Sequence, residues 1–241
     1  MVNENGEWIM HGVSDRNPSC IKTMDKMIDY INEVGFLPLF KNEVEGFSVE
    51  EHTNAKFWWT EHERDPWLWR ELIARSGKVA YGKFFDKKAG FISLKWLPYF
   101  VNHRRDGYDF DSRWDDEMAS YREKKIMDCF IDKSDYFSNE LKETAGFGKG
   151  GEKNFDGIVT GLQMQTYLVM KDLRKRHKKD GTEYGWSVAI YSTPEAIWGK
   201  KVTSAYNEDP EKSKERIYKQ MAKLYPYAFD DDIWKAIRMK G

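Results

Sequence analysis

Residues 161–181 read GLQMQTYLVMKDLRKRHKKDG, and this stretch decides how the chain around it is interpreted. Its apolar-rich arm becomes densely basic and stops at Asp180-Gly181. A second arm, EYGWSVAIYS, follows, and in it Tyr184, Trp186, Val188 and Ile190 alternate onto one face. Two alternating arms joined by a turn containing Asp-Gly are typical of a β-hairpin. We therefore predict a two-stranded ribbon with a basic tip.

Three helical segments precede this ribbon. The first covers about residues 114–131, the second is NELKETAG, and the third starts near Asn154 or Phe155. Three helices followed by a two-stranded ribbon is the order of a winged helix-turn-helix. Residues 114–195 are therefore predicted to form a winged-helix domain.

The flanks predict further elements. Thr23 is placed to cap one helix, and Asp65-Pro66 is a strong start signal for another. The sequence KVAYGKFFDKKAGFIS is typical of a β-hairpin. The predicted fold class is α+β, with an N-terminal helix and β-hairpin region at 1–113, the winged-helix core, and a C-terminal helical extension at 196–241 packing on the body.

The composition excludes several classes of protein. The chain has 241 residues, of which 40% are hydrophobic, and its net charge is −1. Such a chain can bury a core, and any affinity for nucleic acid must come from local patches. It shows no signal peptide, no span of roughly 18 apolar residues, and no Cys or His cluster with metal-ligand spacing. We expect a cytoplasmic protein with no membrane contact, metal or cofactor; the sequence leaves the oligomeric state open.

The basic tip is the first candidate site. Cations on a hairpin can follow a phosphate backbone, so the predicted partner is double-stranded DNA. Arg104 with Arg105, and Arg122 with Lys124 and Lys125, would extend that surface unless they are ordinary helix charges. The alternative for the tip is a solvated turn whose lysines protect an edge strand. The predicted DNA-binding residues are Lys149 in the glycine-rich loop GFGKGG, Lys171, Arg174, Lys175, Arg176, Lys178 and Lys179.

A dense aromatic region is the second candidate site. A pocket lined in this way stacks an extruded base, and charged neighbours supply polar recognition. The alternative is that the aromatic side chains simply pack a core. The predicted pocket residues are Trp58, Trp59, Trp67, Trp69, Arg70, Tyr81 and Lys83.

Gln163 and Gln165 are the third candidate site. Residues spaced i, i+2 point to opposite sides of a helix but to one side of an extended segment. If the helix ends near Gln163, both amides converge and can orient a water. The alternative is a helix-to-strand junction that is polar because it is exposed.

The stretch GLQMQTYLVMKDLR resembles the AlkZ/YcaQ family of winged-helix DNA glycosylases, which carries a Gln–apolar–Gln or Gln–apolar–Asp motif. More of the chain, about residues 20–205, is similar to bacterial proteins described as AlkZ-related. The resemblance implies that Gln163 and Gln165 are the catalytic pair of a monofunctional glycosylase, with Met164 as spacer. In those glycosylases the motif lies near the N-terminus, whereas here it lies two thirds of the way along the chain. The matching segments are WLWRELIARSGKVAYGKFFDKKAGFIS, REKKIMD, GFGKGGEKNFDG, LQMQTYL and YGWSVAIYSTPEAIWG.

Three functions stay open from the sequence. The first is a repair enzyme that removes alkylated or otherwise damaged bases. The second is a non-enzymatic DNA-binding regulator. The third is a small-molecule-binding protein that uses the aromatic pocket.

Overall fold

The computed structural model describes residues 9–178 and 180–238. They form a mixed α and β structure whose strands make two three-stranded antiparallel sheets within the described residues. The elements are α1 (Met24–Val34), β1 (Phe36–Pro38), α2 (Pro66–Ser76), β2 (Val79–Phe85), β3 (Lys88–Ser93), α3 (Leu97–Arg105), α4 (Phe110–Asp115), α5 (Tyr121–Asp132), β4 (Asp135–Phe137), α6 (Ser138–Thr144), α7 (Phe155–Met164), β5 (Val169–His177), β6 (Glu183–Ser192), α8 (Pro194–Trp198), α9 (Pro210–Leu224) and α10 (Asp230–Ile237).

The helix starts follow from their caps. The Thr23 side chain accepts a hydrogen bond from the Lys26 N–H at the start of α1. Asp65 caps α2 with Pro66 in the first turn, and Gly77 ends that helix in the left-handed conformation. These boundaries confirm the sequence signals, because each cap satisfies backbone groups that a helix end leaves unpaired.

The first sheet has the strand order β1-β3-β2. Its hairpin turns at Asp86 and Lys87, which both have positive φ. That conformation matches the right-handed twist of the flanking strands, so the hairpin closes tightly. The predicted hairpin is confirmed.

The second sheet has the order β4-β6-β5 and carries the predicted ribbon. The helices α5, α6 and α7 precede it in the predicted order. The short strand β4, between α5 and α6, was not predicted. The first of these helices starts later than expected, because Ser120 and Glu123 form a capping box at its N-terminus.

The ribbon β5–β6 is irregular at its middle. Arg174 pairs with Val188, but Arg176 pairs with Tyr184. Between these pairs β5 supplies only Lys175, whereas β6 supplies residues 185–187, beginning with Gly185 at φ +72°. Such a bulge bends the strand and redirects its side chains. It interrupts the alternation that the sequence predicts for this arm.

One buried hydrophobic cluster runs through the molecule and draws residues from 1–113, 114–195 and 196–241 alike. Both α2 and β2 pack on β5, α7 packs on β2, and α3 packs on α9. The ribbon root is therefore held against the N-terminal region. The division into three domains remains a prediction.

Arg104 and Arg105 lie inside this core rather than on the surface. The prediction that they extend a DNA-binding surface is wrong. Both lie near the C-terminal end of α3, and that part of the helix faces inward.

No helix in the described part of the chain is long and apolar enough to cross a membrane.

Candidate binding groove at the root of the ribbon

Gln163 is fully buried near the C-terminal end of α7. Its Oε1 accepts a hydrogen bond from the Lys83 backbone N–H at 3.1 Å. Its Nε2 donates to the Val159 carbonyl at 3.2 Å. The amide oxygen thus joins α7 to β2, where the ladder between β2 and β3 shifts register, and the amide nitrogen bonds back to the preceding turn of α7.

Gln165 reaches a different element. It is the C-cap of α7, and its Nε2 donates to Glu123 of α5 at 2.9 Å. Its Oε1 is buried without a hydrogen-bond partner among the described residues. The two amides therefore diverge, because α7 continues to Met164 and keeps the helical spacing that separates positions i and i+2.

Two buried arginines donate hydrogen bonds to the backbone at the junction between α7 and β5. Arg104 donates to the Met164 carbonyl at 3.1 Å, and Arg105 donates to the Thr166 carbonyl at 2.6 Å. Arg105 also pairs with Glu195 at 2.5 Å. Carbonyls at a helix end lack intrahelical partners, so these guanidinium groups satisfy them. The junction after α7 is therefore held by buried hydrogen bonds and is not an exposed polar edge.

The cations of the ribbon are on its surface, and most have acidic neighbours. Lys171 pairs with Asp135, Arg174 with Asp172, and Lys175 with Glu61. The pairs of Lys171 and Lys175 are exposed and contribute little stability, so a phosphate can replace their acidic partners. Asp172, the partner of Arg174, is buried.

The remaining predicted cations lie at the tip and in the glycine-rich loop. Arg176 lies over the Tyr184 ring at 5.1 Å. Lys178 and Lys149 are exposed, and Lys149 lines an open depression beside Gly148. Lys179 lies outside the described residues.

Helix α7 has few side chains that could contact a DNA groove. It contains no lysine or arginine, and six of its ten residues are buried. Asp156 and Gly157 are its exposed positions. An acidic, glycine-bearing face is poorly suited to contact phosphates or base edges.

The predicted aromatic pocket divides into a core part and a surface part. Trp58, Trp69 and Tyr81 are buried in the core. Burial raises the pKa of Tyr81, and the nearby charge of Arg70 partly opposes that shift. Lys83 lies beside α7, where its Nζ reaches the Thr160 hydroxyl at 3.4 Å.

The surface part lines a cavity of about 880 Å³ between the N-terminal end of α2 and the ribbon. Trp59 and Trp67 form one wall and Trp186 of the β6 bulge forms the other. Trp186 is 87% exposed and Trp59 is 47% exposed. The Arg70 guanidinium covers one face of Trp67, 3.7 Å from the ring centroid. The faces open to a ligand are therefore those of Trp59 and Trp186.

The loop that presents Trp59 is held by one buried carboxylate. Asp65 accepts hydrogen bonds from the backbone N–H groups of Trp59, Thr60, Glu61 and Trp67, at 2.8–3.1 Å. Trp59 and Glu61 both have positive φ, near 60°. Such backbone is strained for residues with a Cβ, and it persists only where the surroundings enforce it.

A second cavity of about 430 Å³ adjoins the first and is basic. Arg75 of α2 and Arg174 of β5 line it. The Nε atoms of both donate to Asp172, at 2.9 Å and 2.6 Å. Asp172 is buried, so it fixes two half-exposed guanidinium groups side by side. Arg75 also donates from Nη2 to the Leu173 carbonyl at 3.2 Å, and the remaining terminal N–H groups of the two side chains can donate to an anion.

Four residues line both cavities, namely Leu68, Glu71, Lys175 and Ser187. Glu71 accepts from Arg70 at 3.2 Å and from the Ser187 hydroxyl at 3.1 Å. The two cavities thus form one groove, which has an aromatic half and a basic half. Neither Gln163 nor Gln165 lines it.

The described residues contain no cluster of His, Cys, Asp or Glu that could hold a metal ion.

A model of the family described as AlkZ related matches residues 21–238 of the chain. The protein belongs to the AlkZ-related family. Comparisons with curated proteins and with solved structures give no match.

Sequence reasoning missed Glu71, Arg75, Asp172 and Ser187. A signal existed for the first two, because Leu68, Glu71 and Arg75 are spaced i, i+3, i+7 along α2 and share one face. The sequence carries no such signal for Asp172 and Ser187, because their partners on α2 come close only when the ribbon packs on that helix.

Proposed function

We propose that the protein is a DNA-binding protein of the winged-helix type, whose ribbon and adjoining groove, rather than α7, contact the nucleic acid. The element order α5–β4–α6–α7–β5–β6 and the strand order β4-β6-β5 support the winged-helix assignment. Membership of the AlkZ-related family supports a role on DNA. The observation that carries the proposal is a groove between α2 and the ribbon, with tryptophan side chains from both walls in one half and arginine side chains from both walls in the other.

Binding to duplex DNA tests this proposal. Arg174→Gln combined with Lys178→Gln is expected to weaken binding, and to reduce the slope of log affinity against log salt by about 0.9 per lost phosphate contact. The matched control is Lys26→Gln with Lys219→Gln, because these exposed lysines lie on α1 and α9. Equal affinity and equal slope in both double variants would show that the ribbon does not bind DNA.

Base excision is the finer part of the proposal and comes from the family. The contacts made by Gln163 make it a positioning residue that joins α7 to β2. Gln165 keeps an unpartnered amide oxygen, but this atom is buried and does not line the groove, so its role in excision rests on the family motif.

Incubation with methylated duplex DNA, followed by counting abasic sites, tests excision. We expect abasic sites with the wild type and fewer with Gln165→Ala, while DNA affinity is unchanged. No abasic sites with the wild type would remove the glycosylase part and leave a non-enzymatic DNA-binding protein.

A further inference from the structure

We infer that the groove between α2 and the ribbon is a subsite for one unpaired nucleotide, with the base in its aromatic half and the adjoining phosphate in its basic half. This inference rests on the proposed function, and it names which part of a nucleic acid the groove takes.

The aromatic half has the features that a planar ring needs. Trp59 and Trp186 approach it from opposite elements, one from the loop before α2 and one from the β6 bulge. Trp186 is 87% exposed, so its ring can stack against a planar ligand in the groove. Stacking of a base on such a ring is favourable for every base, since each has a π face.

The loop geometry supports a binding role for Trp59. Its strained backbone is maintained by Asp65, a carboxylate whose hydrogen bonds all go to the loop and the start of α2. Strain that is enforced in this way is typical of binding sites. The loop is therefore built in the conformation that offers the indole to the groove.

The basic half adjoins the aromatic half directly. Arg75 and Arg174 are held by the same buried carboxylate, and Lys175 lies on the boundary between the two halves. The lining of this half has three cations, Arg75, Arg174 and Lys175, against two glutamates, Glu71 and Glu183. Arginine pairs fixed in this way suit a phosphate, which accepts several N–H groups at once.

The base must be unpaired because a tryptophan needs access to one of its faces. In a duplex both faces of each base are covered by its neighbours, so a tryptophan can stack on it only after it leaves the helix. The groove walls come from two elements packed against each other, and a cavity of 880 Å³ is within the range of small-ligand sites.

The probes are a labelled duplex with one unpaired thymidine, the same duplex fully paired, and free deoxyadenosine and thymidine monophosphates. We expect the wild type to bind the duplex with the unpaired nucleotide at least about tenfold more tightly than the paired one. Trp59→Ala and Trp186→Ala should each remove most of that preference, because affinity for the unpaired substrate falls more than affinity for the paired duplex. Arg75→Gln should weaken binding of the unpaired substrate and reduce its salt dependence.

The control is Tyr227→Ala, because Tyr227 is a fully exposed aromatic residue remote from the groove and should have no effect. Equal affinity for the two duplexes, or an unchanged preference in both tryptophan variants, would overturn the inference. The proposed function would still stand if Arg174→Gln with Lys178→Gln weakened binding of the paired duplex. If the free monophosphates bind as tightly as the unpaired substrate, the groove is a nucleotide site. The assignment of DNA as its ligand would then be overturned.

Discussion

The junction after α7 and the groove beside α2 are both rich in polar and aromatic residues, yet they are built in opposite ways. At the junction, Gln163, Arg104 and Arg105 are buried, and each donates hydrogen bonds to backbone carbonyls. At the groove, Trp59 and Trp186 are exposed, and the backbone at Trp59 is strained. The junction therefore stabilises the fold, whereas the groove is the proposed ligand site.

The strongest test of this contrast is Arg105→Ala. It removes the partner of the Thr166 carbonyl and of Glu195, and we expect a loss of about 3–5 kcal/mol in the free energy of unfolding. Urea denaturation measures it. Arg216→Ala breaks an exposed pair with Glu208 and should leave the free energy of unfolding nearly unchanged. Similar losses in the two variants would mean that the junction is no more structural than the surface.

On the groove side, Asp65→Ala should cost about 2–3 kcal/mol, because four backbone N–H groups lose their acceptor. We also expect this variant to lose the orientation of Trp59 and with it the preference for an unpaired nucleotide. Denaturation and binding to the two duplexes are measured on the same sample. A stable variant with an unchanged preference would contradict the role of Asp65 in the loop.

Gln163→Ala should cost about 2 kcal/mol, because it leaves the Lys83 N–H buried without an acceptor. Gln165→Ala should cost less, about 0.5–1 kcal/mol, since Gln165 is only half-buried and makes one side-chain bond. Thermal unfolding of the two variants compares them directly. A larger loss of stability in Gln165→Ala than in Gln163→Ala would show that the more exposed amide stabilises the junction more.

The junction helix α3 also predicts a pH dependence. Burial, followed by the charge of Arg104, lowers the pKa of His103 to about 4. The unfolded chain, whose histidine titrates near 6.5, binds the proton more readily between those values, so stability falls as the pH falls from 6.5 towards 4. After allowance for partial exposure, the loss is about 1 kcal/mol, and His103→Gln should flatten the profile over that window. An identical profile in the variant would exclude His103 as the cause.

The smallest effect on stability is expected from Trp186→Ala. An exposed side chain loses little on truncation, so the free energy of unfolding should change by less than about 0.5 kcal/mol. Urea denaturation checks this value beside the binding assay. A loss above about 2 kcal/mol would mean that Trp186 supports the ribbon, and the contrast between the two regions would fail.

Local sequence predicted the elements whose signals are local. The caps at Thr23 and Asp65, the hairpin of β2 and β3, and the basic ribbon follow from neighbouring residues. The start of α5 was misplaced because residues 114–120 continue an apolar pattern, while the capping box at Ser120 decides where the helix begins.

The functional interpretation of single residues was less accessible. Gln163 and Arg105 look like surface polar residues in the sequence, and only the packing of α7 on β2 and of α3 in the core buries them. Trp58 and Trp59 are adjacent in the sequence, yet Trp59 lines the groove and Trp58 is buried in the core. The separation depends on contacts across the chain, which no local pattern carries.

The bulge at residues 185–187 divides the ribbon into two segments with separate pairing. The inner segment, around Val188 to Ser192, is joined to β4 and packed against the body, whereas the outer segment pairs only with the other arm of the ribbon. We expect the bulge to act as a hinge. When a ligand enters the groove, we expect the outer segment to close over it while the inner hydrogen bonds persist. Amide exchange should be slow at Ile190 and fast at Tyr184, and should slow at Tyr184 when DNA binds.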